Sequence, residues 1–123
     1  MTQEEKQLLF KDICARLPYG VICNLYDTED ANKKFQLKEL SNLIISAVNS
    51  ECIRPYLRPM SSMTEEEKEW LYSNFDYIES FGVKCYDKIP EYYDWLNEHH
   101  FDYRGLIEKG LAVVAPEGMY KEK

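Results

Sequence analysis

The chain has 123 residues, 45% apolar and 30% charged, with a formal net charge of −7. That length predicts a single domain over residues 1–123, and the composition excludes a disordered chain. The charge disfavours nucleic acid as a partner. No apolar run approaches the roughly 18 residues of a membrane span, and the opening Met1-Thr2-Gln3-Glu4-Glu5 lacks the features of a signal peptide.

Thr2 and Glu5 form a capping box. Leu9, Phe10, Ile13, Cys14 and Leu17 then share one helical face, so a helix is expected from Gln3 to Arg16, closed by Pro18. Tyr19–Tyr26 is rich in β-branched and aromatic residues and predicts a strand with Val21, Cys23 and Leu25 on one face. Asp27–Asn32 reads as a polar turn, and Phe35 and Leu37 alternate with polar residues as in a half-buried second strand. The short run Leu43–Val48 fits a buried strand or a short helix, and strand is preferred. Cys52-Ile53-Arg54 is expected as a short strand stopped by Pro55, followed by a proline-stiffened extended connector to Met60.

Thr64 and Glu67 form a second capping box, opening a helix that should reach about Asn74, with Trp70 and Leu71 as core anchors. Phe81–Tyr86 is a further strand candidate. Pro90 suits the first turn of a third helix, whose face carries Ile89, Tyr92, Tyr93, Leu96 and His100. Leu111–Ala115 reads as an edge strand and Pro116–Lys123 as a frayed tail. The expected fold is α+β: a small antiparallel sheet, either simply curled or an SH3-like half-barrel, packed with about three helices. It is strand-rich over 19–54 and helix-rich over 64–110.

The four cysteines, Cys14, Cys23, Cys52 and Cys85, sit in apolar settings and read as reduced, buried thiols, which points to the cytoplasm. His99-His100 is a helix-terminal pair. Adjacent helical residues point about 100° apart, so no metal site is expected there. Nucleophile elbows, phosphate loops and paired-cysteine motifs are absent, so neither catalytic residues nor cofactors are assigned. Arg54, Tyr56 and Arg58 put two guanidinium groups beside a ring, a set able to grip a nucleic acid. The plainer reading is that the arginines pair with Glu65–Glu67 while Tyr56 packs. Ten tyrosines are a heavy load for this length. Tyrosine suits interfaces, and Tyr92, Tyr93 and Tyr103 with Arg104 are the expected partner-binding residues.

Three stretches span the chain: Ala15-Arg16-Leu17-Pro18-Tyr19-Gly20-Val21, Pro55-Tyr56-Leu57-Arg58-Pro59-Met60-Ser61-Ser62-Met63-Thr64-Glu65-Glu66-Glu67, and His99-His100-Phe101-Asp102-Tyr103-Arg104-Gly105-Leu106-Ile107. Together they resemble a group of small uncharacterised proteins encoded in prophage-like and mobile-element regions of anaerobic gut bacteria. The resemblance implies a bacterial or phage cytoplasmic protein and transfers no activity, cofactor or site. The leading expectation is a non-enzymatic module that binds another protein. The alternatives are a nucleic-acid accessory protein using Arg54 and Arg58, and a small enzyme with a site near His100 and Arg104.

Overall fold

In the computed structural model, residues 1–25, 33–81 and 89–120 are described. The turn expected over 27–32, Cys85, and the strand expected over 81–86 from Gly82 onward lie outside them. Helix α1 spans Gln3–Arg16, as the periodicity predicts. Its capping box forms: the Glu5 N–H donates to Thr2 Oγ1 at 3.1 Å and the Thr2 N–H to Glu5 Oε1 at 2.8 Å. A single 3-10 turn over Leu17–Tyr19 carries Pro18 and ends at Gly20, with φ +67°. Strand β1 follows at Val21–Leu25 and β2 at Lys33–Leu37.

Leu43–Val48 is a helix, not a strand: α2 spans Asn42–Asn49. Its buried residues, Ile44, Ala47 and Val48, stand three and four apart, while Leu43 and Ile45 face outward. Packing of that face on α1 and β3 decides what a short apolar run leaves open. Strand β3, Ile53–Leu57, also departs from expectation, because it runs straight through Pro55. Pro55 lacks an N–H, and alternation aims that position toward the β4 side, where pairing starts only at Tyr56. The missing donor therefore breaks no ladder.

After a 3-10 turn at Met60–Ser62, α3 spans Glu65–Phe81, a turn or more beyond Asn74, and α4 spans Ile89–Glu98. The edge strand β4 is only Val113–Val114. The sheet order is β2-β1-β3-β4. β1 runs antiparallel to both β2 and β3, but β3 and β4 are parallel. The α+β class holds. The sheet is mixed rather than wholly antiparallel, and mostly open; among the described residues β2 and β4 are its edges and four helices accompany it.

The two sheet faces have different fates. Val21, Cys23, Ile53 and Leu57 point to one face and pack against Leu9 and Ile13 of α1 and Ile44 and Val48 of α2. A second cluster joins Trp95, Leu96 and Phe101, with Leu71, Tyr92 and Tyr103 against it. Leu71 is half-buried there, whereas Trp70 stays 43% exposed and stacks on Trp95, so it is no core anchor. No helix among the described residues is long and apolar enough to cross a membrane.

Candidate functional site

The second sheet face carries Ile22, Gln36, Arg54, Tyr56 and Arg58 by strand alternation. At its end lies a cleft of about 470 Å³, walled by Tyr19, Gly20, Ile22, Gln36, Arg58, Glu98, His99, His100, Met119 and Tyr120. Glycine suits position 20 at the cleft wall. Its backbone is left-handed, and a Cβ there would stand 2.7 Å from Gln36 Nε2, which donates to the Gly20 carbonyl at 3.0 Å.

The tail is docked rather than frayed at Tyr120. The β1–β3 register stops at Cys23 opposite Pro55, one pair short of Ile22 and Tyr56. Tyr120 fills that place. Its hydroxyl accepts the Ile22 N–H at 2.8 Å and donates to the Tyr56 carbonyl at 2.7 Å, with the Ile22 carbonyl at 3.2 Å. Burial, above all, pushes the phenol pKa well above its ordinary value.

The Tyr120 ring stacks on His100 at 3.8 Å. His100 ends α4 in a Schellman turn: its N–H bonds the Asn97 carbonyl and the Phe101 N–H bonds Leu96, at 3.1 and 2.9 Å. That turn places His100 at φ +59°, where glycine is usual. The imidazole is 3% exposed, and its pKa falls to about 3. Burial is the largest cause, and the Arg16 charge adds to it, against a hydrogen bond to the Tyr19 backbone that favours the charged form. The ring is therefore neutral. His100 sits at the helix terminus as the sequence suggests, but not as a cation satisfying the helix dipole. His100 Nδ1 is buried and has no hydrogen-bond partner among the described residues.

Beneath the cleft is a buried ion cluster. Arg16 and Asp12, both fully buried, are joined by two bonds at 3.0 and 3.1 Å, and Arg16 Nη2 also donates to the Phe101 carbonyl at 2.6 Å. Arg104 Nη1 reaches the same Asp12 carboxylate at 2.7 Å. Arg104 is thus drawn to Asp12 of α1 and is not among the residues that wall the His100 cleft. Cys23 lies near these charges, and its thiol is pushed up to about 12, chiefly by burial. Cys14, Cys23 and Cys52 are free thiols; Cys23 is buried, and Cys14 and Cys52 are half-buried.

Arg58 stands where the cleft meets a second one of about 590 Å³ on the far side of Tyr120. Its guanidinium lies 4.1 Å over the Phe101 ring and is held by both oxygens of Glu67. Tyr56 is 7% exposed, and Arg54 is exposed on the same strand face. The expected pairing of Arg58 with the acidic helix is found, and Tyr56 packs.

The four expected partner-binding residues meet in space. Tyr92 contacts Tyr93 edge-on at 5.5 Å, Tyr93 contacts Tyr103 at 5.1 Å, and the Arg104 guanidinium lies 4.6 Å over Tyr103. Tyr103 is fixed from behind by its hydroxyl, which donates to Asn97 Oδ1 at 3.0 Å. Tyr93 is 42% exposed. Sequence reasoning overlooked Asp12, Arg16, Tyr19 and Tyr120. Asp12 and Arg16 carried the visible four-residue helical spacing, whereas nothing local marked Tyr120. No group of three or more candidate metal ligands occurs among the described residues. The chain finds no match among protein-family models, curated proteins or solved structures.

Proposed function

We propose that this chain is a non-enzymatic protein-interaction module of a phage or mobile element, acting in the cytoplasm. It would engage another protein through the face of Tyr92, Tyr93, Tyr103 and Arg104. The observation that carries this reading is the continuous run of three tyrosine rings and a guanidinium, with Tyr93 turned outward. Arg104 and Tyr103 are tied to Asp12 and Asn97 from behind. Less side-chain freedom is then lost on binding, and rigid aromatics and arginines dominate interface energetics. Less supports nucleic-acid binding through Arg54, Tyr56 and Arg58, because Arg58 is engaged by Glu67 and Tyr56 is buried.

The test is affinity capture from the native cell with the wild-type chain and with Tyr93→Ala. A partner recovered with the first and lost with the second, at an unchanged melting temperature, supports the reading. Recovery of the same proteins by both sinks it.

A further inference from the structure

The C-terminal tail is pinned to the sheet by one side chain. Its last backbone bond to a strand runs from the Ala115 N–H to the Leu57 carbonyl, at 2.8 Å. Pro116, Glu117 and Gly118 then lie exposed, and Gly118 turns the chain at φ +82°. Among the described residues, the hydrogen bonds that tie 116–120 to the rest of the molecule all belong to the Tyr120 hydroxyl. Tyr120 also stands between the two clefts, of about 470 and 590 Å³, and with Arg58 it is the wall they share.

The docked phenol shows what this place takes. Its hydroxyl accepts from Ile22 and donates to the Tyr56 carbonyl while its ring stacks on His100 at 3.8 Å. Among side chains, only tyrosine carries a hydroxyl that does both at the far end of a flat ring. Phenylalanine leaves a donor and an acceptor unpaired. A phosphotyrosine brings negative acceptor oxygens where the Tyr56 carbonyl needs a donor. The tail is also a strong competitor for its own site, because a short linker holds the phenol at an effective concentration in the millimolar range. A lone tyrosine side chain cannot displace it. A longer segment that also fills the clefts on both sides adds the contacts needed to do so.

We infer that residues 116–120 are an autoinhibitory strap. Swung out about 116–118, the tail lets the two clefts run together, and the groove so opened takes an extended segment of a partner protein whose unphosphorylated tyrosine replaces Tyr120. The net charge of −7 on each copy disfavours a second copy as the donor of that segment. The inference rests on the reading that this chain binds another protein, and adds a second contact area, the chemistry it recognises and the contact that holds it shut.

The probe is a fluorescent peptide of residues 116–123, Pro-Glu-Gly-Met-Tyr-Lys-Glu-Lys, titrated by anisotropy into the full-length chain and its Tyr120→Ala variant. Removing the tethered competitor should tighten binding roughly tenfold or more. Replacing the peptide's tyrosine by phenylalanine, or phosphorylating it, should weaken binding to the variant roughly tenfold or more. No binding to the folded variant, equal affinity for variant and wild type, or equal affinity of the tyrosine and phenylalanine peptides overturns the inference. Should Tyr120→Ala fail to fold, the isotope-labelled wild-type chain decides. Millimolar unlabelled peptide should then move the Tyr120 ring signals to those of free tyrosine while the Ile22 amide stays protected from exchange, and ring signals that stay in place overturn the inference. A wild-type dimer in sedimentation that Tyr120→Ala abolishes would assign the groove to a second copy and overturn the partner segment. Capture lost on Tyr93→Ala without peptide binding leaves the interaction reading standing and removes the strap. Peptide binding with the same proteins captured by wild type and Tyr93→Ala does the reverse.

Discussion

Glu67 grips Arg58 with both carboxylate oxygens, at 2.7 and 2.9 Å, while its Oε1 also accepts the Thr64 N–H that opens α3. One side chain therefore caps a helix and fastens it to the residue following β3. Burial pushes the Glu67 pKa up, but the Arg58 hydrogen bond, the Thr64 N–H and the Arg58 charge together bring it below the ordinary value of 4.5. A depressed carboxylate adds stability that is complete above the unfolded pKa and is lost as pH falls through the folded one. Glu67→Ala should lose about 1.5–3 kcal/mol at pH 7, the range for a hydrogen bond to a charged group. Urea unfolding should show that loss shrinking below pH 4.5. A pH-independent difference would show that the carboxylate's charge contributes nothing.

His100 supplies a second pH dependence at a different place on the scale. Its pKa is about 3 in the fold against an ordinary 6.5. The unfolded chain takes up a proton that the folded chain refuses, so stability should fall as pH drops from about 6.5 toward 3. The slope approaches about 1.4 kcal/mol per pH unit for one proton. His100→Asn keeps a residue that tolerates the left-handed backbone and removes the titration. Its unfolding free energy should be flatter between pH 6 and about 4.5, apart from carboxylates titrating at the lower end. An identical slope in both proteins would show that the imidazole is protonated in the fold.

Two helices end in left-handed residues that are not glycine. Glu51 after α2 has φ +61°, and His100 after α4 has φ +59°. Among the described residues the exposed Glu51 side chain makes ion pairs with the N-terminus and Lys6, at 3.2 and 3.8 Å, and a pair with one solvent-exposed partner is worth little. Glu51→Gly should therefore raise the melting temperature, recovering up to about 1 kcal/mol of backbone strain. His100→Gly relieves the same strain but removes a buried ring stacked on Tyr120, and should lower it. Calorimetry of the two variants decides, and opposite signs are expected.

Tyr120→Phe keeps the ring and removes only the hydroxyl between β1 and β3. The Ile22 N–H and the Tyr56 carbonyl lose their partner together, at a cost of about 1–3 kcal/mol. Hydrogen exchange should accelerate most at the Ile22 amide. Exchange at Ile22 unchanged from wild type would mean the strands close directly without the phenol.

The second apolar cluster separates two leucines. Leu96 is 1% exposed and Leu71 is half-buried. Leu96→Ala should cost about 2–5 kcal/mol, the range for core truncation, and Leu71→Ala distinctly less. Equal shifts in the denaturation midpoint would show that α3 packs more deeply than its exposure indicates.

What the sequence revealed was mostly local. Both capping boxes, α1 to its last residue, and the inward face of β1 follow from side-chain type and spacing within a few positions. Leu43–Val48 is too short for its period to decide between strand and helix, and contact with α1 and β3 decides it. Pro55 looked like a stop, yet whether a missing N–H matters depends on which strand lies beside it, and that strand is β4, far along the chain. The site divides in the same way. The pairing of Arg58 with Glu67 spans nine residues and was foreseeable. Arg104 meeting Asp12 across 92 residues was not, and neither was the phenol that joins β1 to β3.

That phenol also sets a timetable for the chain as it is made. Ile22 and the residue that completes its hydrogen bonding are 98 positions apart. At about 5–20 residues per second, the β1–β3 seam waits roughly 5–20 s after Ile22 is synthesised before its closing group exists. During that interval the β1–β3 seam is paired only from Cys23 and Pro55 onward, and the Ile22 N–H and the Tyr56 carbonyl, once made, are left to water. In ribosome-bound chains that stop short of Tyr120, the Ile22 amide should therefore exchange faster than in the full chain.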